Sequence, residues 1–146
     1  QLGANNPACV NSQQMNLWEQ TGAVKYIGET SNVQPYMEQA HCIVLPSYRE
    51  GISRVLLEAA AMERPIIASN VPGCREVVVD GSNGFLCEVR NISSLIVSMM
   101  HMLALPEEVR VLFGRNGREL VRRLYDEKLI VQLYKEKLIE FLPEEC

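Results

Sequence analysis

Two glutamates, Glu50 and Glu58, lie on either side of a segment that has the composition of a helix start. The apolar run at residues 42–45 predicts a buried strand, and the helix formers at residues 54–62 predict a helix that begins near Ser53. Glu50 is then expected in the loop ahead of the helix. Glu58 is expected between one and two turns inside it.

Such an arrangement has a specific chemistry. The first N–H groups of a helix have no partners within the helix, and they carry the positive end of its dipole. A diphosphate is stabilised there, and a carboxylate on either side accepts hydrogen bonds from sugar hydroxyls. A nucleotide-sugar combines these groups. The alternative is a solvated pair of acids that the dipole favours at a helix start.

Three segments in a fixed order carry a resemblance to a known family. They are Pro-Ser-Tyr-Arg-Glu-Gly at residues 46–51, Val-Pro-Gly-Cys-Arg-Glu at 71–76 and Gly-Ser-Asn-Gly-Phe-Leu at 81–86. Together with the spacing of Glu50 and Glu58, they resemble the family-four retaining glycosyltransferases of the GT-B fold over most of residues 24–88. The variants are most similar to bacterial enzymes that build surface polysaccharide or lipid-linked oligosaccharide.

The resemblance implies transfer of a sugar from a UDP-sugar donor to a glycan or lipid-linked acceptor, with retention at the anomeric carbon. Glu50 would hold hydroxyls of the donor sugar, which makes it the candidate catalytic residue, and Glu58 would hold the ribose diol. The backbone N–H groups that would face the diphosphate or the sugar belong to Gly51, Ile52, Ser53, Arg54 and Val55. Ser53 is alternatively a helix cap.

The loop from Tyr26 to Gly28 resembles the segment in which this family binds the pyrimidine base through backbone groups. The residues themselves favour another role for Tyr26, as an aromatic side chain of the core. Arg115, Arg118 and Arg122 fall at helical spacing, which indicates a solvated, ion-paired face more than a site for lipid phosphates.

Composition limits the function classes. The chain has 146 residues, 47% hydrophobic content and a net charge of −4, which is typical of a soluble globular protein and argues against binding nucleic acid by charge. The five cysteines are scattered, and Cys42 and Cys87 are expected as small buried hydrophobes in a reducing compartment. We therefore expect a cytoplasmic protein, with peripheral association at the inner face of the membrane for the full-length enzyme.

Neither a metal ion nor another cofactor is expected. His41 and His101 are isolated, and the sequence contains no Asp-x-Asp element. Two other classes share the donor: a UDP-sugar epimerase of the GT-B fold, and a non-catalytic nucleotide-binding or interaction module. The residues show none of the acid–base groups that an epimerase requires.

Apolar runs alternate with helical segments, which predicts an α/β fold with a Rossmann-like parallel sheet, helices on both faces and a helical C-terminal tail. The expected strands, about four, are residues 24–27, 42–45, 65–69 and 84–87. The expected helices are residues 12–20, 33–39, 54–62, 75–79, 92–105, 106–125 and 126–142. In such sheets ligands bind beyond the carboxyl ends of the strands.

The resemblance further implies that residues 1–146 are the donor-binding C-terminal domain without its first part and without the N-terminal domain. In the doubly wound strand order 3-2-1-4-5-6, the predicted strands would be the third to sixth. The family's phosphate-binding Arg and Lys lie in the first part. We therefore expect the isolated chain to be inactive, to bind UDP weakly and to self-associate. Glu63 also departs from the family, which usually has glycine there.

Overall fold

The computed structural model describes residues 10–141, which form two compact units, residues 10–33 and residues 34–141. The first unit begins with helix α1 (Ser12–Gln20), which the sequence predicts with the same bounds. The Asn11 side chain caps it by accepting a hydrogen bond from the Gln14 N–H at 2.8 Å. The helix ends at Thr21, next to Gly22 in the left-handed conformation.

The strand predicted at residues 24–27 is wrong, because these residues have no regular structure. A strand is stable only when its backbone groups pair with a neighbouring strand, and residues 10–33 contain no second one. The Tyr26 N–H donates instead to the Glu19 carboxylate at 2.8 Å. The segment is apolar enough for a strand, but within this unit it has no sheet to join.

The second unit contains a parallel sheet of three strands, where about four strands were expected for the chain. They are β1 (Ile43–Leu45), β2 (Ile66–Ser69) and β3 (Gly84–Cys87), in the order β1-β2-β3. Ile67 is paired with Val44 on one side and with Phe85 on the other. The parallel direction and the order of these three strands confirm the prediction.

Both faces of β2 are covered by other parts of the chain. Ile67 packs in a cluster with Met102 and Phe113, while Ile66 and Ala68 point to the opposite face and are equally buried. A strand that is buried on both faces is mainly apolar, which explains the run Ile66-Ile67-Ala68, and Ser69 is the polar residue at its carboxyl end.

Five helices surround or follow this sheet. They are α2 (Gln34–Gln39), α3 (Arg54–Ala61), α4 (Ile92–Ala104), α5 (Glu107–Tyr125) and α6 (Glu127–Phe141). The Asn91 side chain caps α4, and Pro106 precedes the two acids in the first turn of α5. The predicted bounds agree to within one or two residues; Leu142, the last residue of the predicted tail, lies outside the described residues.

The short helix predicted at residues 75–79 is wrong. Residues 72–77 form successive turns, held by hydrogen bonds from Cys74 N–H to Val71 O at 3.1 Å and from Val78 N–H to Cys74 O at 2.9 Å. Gly73 has a φ of 85°, which is incompatible with a right-handed helix. No helix continues through residues 75–79, because the Val79 N–H donates to the Asn83 side chain at 2.7 Å instead of to the carbonyl four residues earlier.

Glu63, which stands where the family has glycine, has the backbone conformation that a glycine would adopt. Its φ is 57°, and its N–H donates to Ala60 O at 3.0 Å at the end of α3. The Glu63 carboxylate pairs with Arg118 of α5 at 3.1 Å. The turn expected from the family is therefore retained, with a glutamate in the left-handed region.

The face of α5 that carries its arginines is solvated and partly ion-paired, as the sequence predicts. Arg118 pairs with Glu63, and Arg122 pairs with Glu119 at 3.3 Å. Arg115 is exposed. Exposed pairs of this kind contribute little to stability, so the helix is held mainly by its buried face.

Two glycines of α5 predict opposite effects of the same substitution. A Cβ on Gly114 would lie 2.1 Å from Glu63 O, whereas the nearest atoms to a Cβ on Gly117 are 3.5 Å away. Gly114→Ala should therefore lower the free energy of unfolding by about 1–3 kcal/mol through overpacking. Gly117→Ala, the matched control, should raise it by about 0.5–1 kcal/mol, because alanine favours the helix. Urea denaturation measures both, and equal effects would contradict the close approach at Gly114.

Candidate functional site

Glu50 lies in the loop between β1 and α3, as predicted, at the carboxyl end of the sheet. Its side chain is half-buried, and the Ser47 hydroxyl donates to one carboxylate oxygen at 2.6 Å. The other oxygen has no hydrogen-bond partner among residues 10–141. A charge-assisted bond of this length orients the carboxylate, so Glu50 can offer its second oxygen in a fixed direction.

Helix α3 begins directly after this loop. Ser53 occupies the N-cap position, but its side chain makes no capping hydrogen bond and the residue is only 4% exposed. The Ser53 N–H donates to Gly73 O at 3.5 Å. Ser53 is therefore engaged by the protein itself, and of the five predicted N–H donors it is the one already bound.

The other four predicted donors have no acceptor in the described part of the chain. The N–H groups concerned belong to Gly51, Ile52, Arg54 and Val55, all of which are exposed. They lie at the positive end of the α3 dipole, where unsatisfied N–H groups attract an anion. This end of α3 thus has the donors that a diphosphate requires.

Glu58 is the fifth residue of α3 and is half-buried, in the position predicted for it. Its backbone carbonyl accepts the Met62 N–H at 3.0 Å, whereas its carboxylate has no hydrogen bond or ion pair with any residue from 10 to 141. A half-buried carboxylate that the described residues leave without an ion pair is available to accept hydrogen bonds from hydroxyl groups of a ligand.

The turn at residues 71–78 supports the loop that carries Glu50, and sequence reasoning did not assign it that role. Gly73 contacts the loop through its backbone, and the buried Cys74 follows it. Burial raises the pKa of the Cys74 thiol, and the Glu50 and Glu76 carboxylates raise that pKa further. The thiol is therefore neutral at physiological pH and lies near both acids.

Two other predictions about cysteines concern buried thiols. Cys87 is buried, and its Sγ donates to Ala68 O at 3.4 Å, as expected of a small core residue. Cys42 is half-buried, and burial raises the pKa of its thiol to about 11. The Cys42 thiol therefore stays protonated at neutral pH, which removes it as a nucleophile.

A cleft of about 380 Å³ lies at the carboxyl ends of the three strands. Its lining combines apolar and polar residues and includes Pro46, Tyr48, Ser69, Cys87, Arg90 and Ile92. The Arg90 guanidinium lies 5.3 Å from the centre of the Tyr48 ring, in a cation–π contact between the loops that follow β1 and β3. Tyr48 is two residues from Glu50, so the cleft adjoins the candidate site along the chain.

The loop predicted to bind the base belongs to the first unit. Tyr26 is 45% exposed, so its interpretation as a core aromatic is wrong. Its side chain lies at the surface of the unit because the surrounding residues pack no core against it. Gly28 has a φ of 81° and no atom within 4 Å of a Cβ position, which is the geometry of a glycine in an open turn.

Comparison with known proteins identifies a family over most of the chain. Residues 3–104 match the family described as Glycosyl transferases group 1. The N,N'-diacetylbacillosaminyl-diphospho-undecaprenol alpha-1,3-N-acetylgalactosaminyltransferase of Campylobacter jejuni is 30% identical over 127 residues, which cover 87% of this chain and 32% of that protein. This chain spans between 20% and 32% of the length of the curated relatives it matches.

Solved structures give the same architecture. Sucrose-phosphate synthase from Thermosynechococcus elongatus superimposes with a TM-score of 0.74 at 27% identity, over 86% of this chain and 34% of that one. The Anabaena protein HepE, solved with UDP-glucose, superimposes with a TM-score of 0.75 at 22% identity, over 88% of this chain and 35% of that one. The second likeness concerns the fold alone.

Proposed function

Because this chain belongs to the family of group 1 glycosyl transferases, we propose that it is the donor-binding part of a retaining, UDP-sugar-dependent hexosyltransferase. The observation that carries the proposal is the amino end of α3, where unpaired N–H groups lie between Glu50 and Glu58. Helix starts of this kind bind phosphate groups, and a carboxylate on either side suits the sugars of the donor. Further support comes from HepE, which was solved with UDP-glucose and has the same fold.

Each residue then has a role. The N–H groups of Gly51, Ile52, Arg54 and Val55 bind the diphosphate and stabilise the UDP that leaves, without a metal ion. Glu58 accepts the ribose hydroxyls, and Glu50 accepts hydroxyls of the transferred sugar. The loop from Tyr26 to Gly28 would bind the base through its backbone groups. We propose that Glu50 and Glu58 face one cleft.

The relatives support a proposal about the acceptor. The Campylobacter relative acts, by its name, on an undecaprenol-linked sugar, which supports a glycan or lipid-linked acceptor. Among residues 10–141, no helix is long and apolar enough to cross a bilayer. As a separate part of the proposal, we expect a bacterial enzyme of polysaccharide biosynthesis that works in the cytoplasm, with peripheral association at the inner face of the membrane.

The proposed function is tested on the full-length protein that contains this chain. It is incubated with a panel of UDP-sugars, and UDP release is measured with and without glycan and lipid-linked acceptors. A transferase releases UDP faster when the acceptor is present. An epimerase changes the sugar without acceptor, and a binding module releases no UDP; either result would overturn the proposal.

Glu58→Ala should weaken donor binding through the loss of the ribose contacts. The expected loss is about 1.5–3 kcal/mol, the usual value for a hydrogen bond to a charged group. Calorimetric titration with UDP measures it in the full-length protein. Glu107→Ala removes an exposed acid at the start of α5 and serves as the matched control. If Glu58→Ala binds UDP as the control does, Glu58 does not hold the ribose.

Glu50→Ala should lower turnover more than it weakens donor binding, because Glu50 is assigned to the sugar that reacts. Steady-state kinetics of the full-length protein give kcat and the KM for the UDP-sugar. Glu50→Gln keeps the size of the side chain and separates the loss of charge from the loss of packing. A rise in KM with kcat unchanged would assign Glu50 to uniform binding and contradict its role at the reacting sugar.

The 146-residue chain alone should self-associate and bind UDP weakly. Within the sheet of the second unit, β1 is an edge strand that pairs with β2 alone, and Val44 on it is 37% exposed. Sedimentation velocity should therefore show association that rises with concentration. Val44→Lys places a charge on the edge and should restore a monomer. A monomeric parent chain that binds UDP tightly would contradict both expectations.

A further inference from the structure

The loop that carries Glu50 is held against the turn at residues 71–78 by direct backbone contact. A Cβ built on Gly73 would lie 1.4 Å from Gly51 O and 2.9 Å from Glu50 O. The carbonyl of Gly73 accepts the Ser53 N–H. No residue other than glycine fits at this position, so the two backbones touch without a side chain between them.

The backbone conformation of Gly73 requires a stabilising interaction. Its φ of 85° is a left-handed conformation that glycine adopts as one of several in the unfolded chain. The Gly73 N–H donates a hydrogen bond to the carboxylate of Glu76. A hydrogen bond to a charged acceptor is stronger than one between neutral groups, so Glu76 fixes the peptide of Gly73 in this orientation.

Glu76 is itself anchored from outside the turn. Its backbone carbonyl accepts the hydroxyl of Tyr125, the last residue of α5, at 3.4 Å. The Val77 and Val78 side chains that follow are fully buried. The backbone of Glu76 is thus held in place, and its carboxylate holds Gly73 in place through the hydrogen bond from the Gly73 N–H.

We infer that Glu76 is a positioning residue for the donor site, acting through Gly73 on the loop of Gly51 to Ser53; this role rests on the proposed function. The hydrogen bond from the Gly73 N–H to the Glu76 carboxylate orients Gly73. The Gly73 carbonyl then accepts a hydrogen bond from the Ser53 N–H. The neighbouring N–H groups, which include those of Gly51 and Arg54, then remain open to the diphosphate. Because the same turn touches Glu50 O, it also sets the place of the catalytic carboxylate.

The test compares two carboxylates that make the same kind of bond. Glu76 binds the Gly73 N–H, and Asp80 binds the Leu86 N–H at 2.8 Å, away from α3. Glu76→Ala and Asp80→Ala each remove one such bond in the full-length protein. Glu76→Gln keeps an amide oxygen that can still accept from Gly73.

Kinetics with a UDP-sugar should separate the variants. Glu76→Ala should raise the donor KM and lower kcat, with a loss in kcat/KM of about ten- to a hundredfold, as expected for misplaced reacting groups. Glu76→Gln should recover most of this loss, and Asp80→Ala should keep the parent kinetics. Melting temperatures of both variants are measured to account for any loss of stability. If Glu76→Ala and Asp80→Ala then lower kcat/KM by the same factor, Glu76 acts on stability alone and the inference is wrong.

Amide hydrogen exchange, measured without ligand, tests the positioning role of Glu76 independently of the proposed function. Glu76→Ala should speed exchange of the amides at residues 51–55, and Asp80→Ala should leave them unchanged. If the parent releases no UDP from any donor, the proposed function fails, while the exchange comparison still decides whether Glu76 holds the loop. Unchanged exchange in Glu76→Ala would overturn the positioning role.

Discussion

The contact between the backbones of Gly73 and Gly51 is the constraint on which the candidate site depends. A loop at the end of a strand would ordinarily have many conformations, because its N–H groups bind water as readily as protein. Here the carbonyl of Gly73 takes the Ser53 N–H, and no side chain separates the two segments. The first turn of α3 is thereby fixed at the carboxyl end of β1, and its other N–H groups have no acceptor among residues 10–141.

The core of the second unit keeps that loop and its supporting turn in register. Both come from the ends of neighbouring strands, since Glu50 follows β1 and Gly73 follows β2. The pairing of Val44 with Ile67 sets the register of β1 against β2. Because β2 is buried on both faces, a shift of its register would expose apolar side chains, so the relative position of the two loops is fixed as well.

The sequence predicted the local elements better than the contacts between them. Helices with strong caps, such as α4 after Asn91, and apolar strands such as Ile66–Ser69 follow from short-range patterns. The prediction of a strand at residues 24–27 was wrong, because a strand needs a neighbouring strand to pair with and the hydrophobic pattern does not show whether one is present. The positions of Glu50 and Glu58 relative to α3 were predicted correctly, because both follow from one strand-to-helix junction.

The support of the site was beyond prediction for a different reason. Val-Pro-Gly at residues 71–73 indicates a turn, but its residue types do not say which loop the turn meets. The left-handed φ of Gly73 and the bond from Glu76 become visible only when the strands are assembled. Glu63 shows the converse case, since a departure from the family's glycine left the local turn intact.

The electrostatics of the site are local rather than those of the whole chain. The net charge of −4 gives no general attraction for a diphosphate, and the chain carries 18 acidic residues against 14 Lys and Arg. The attraction proposed at the amino end of α3 is therefore local, and it combines oriented N–H dipoles, which act over the first turn only, with the charge of the exposed Arg54 side chain. Dipoles that act over such a short range stabilise a ligand best when their positions are fixed before it binds. The turn at residues 71–78 fixes those positions, so we expect it to affect donor binding although it is not assigned any contact with the donor.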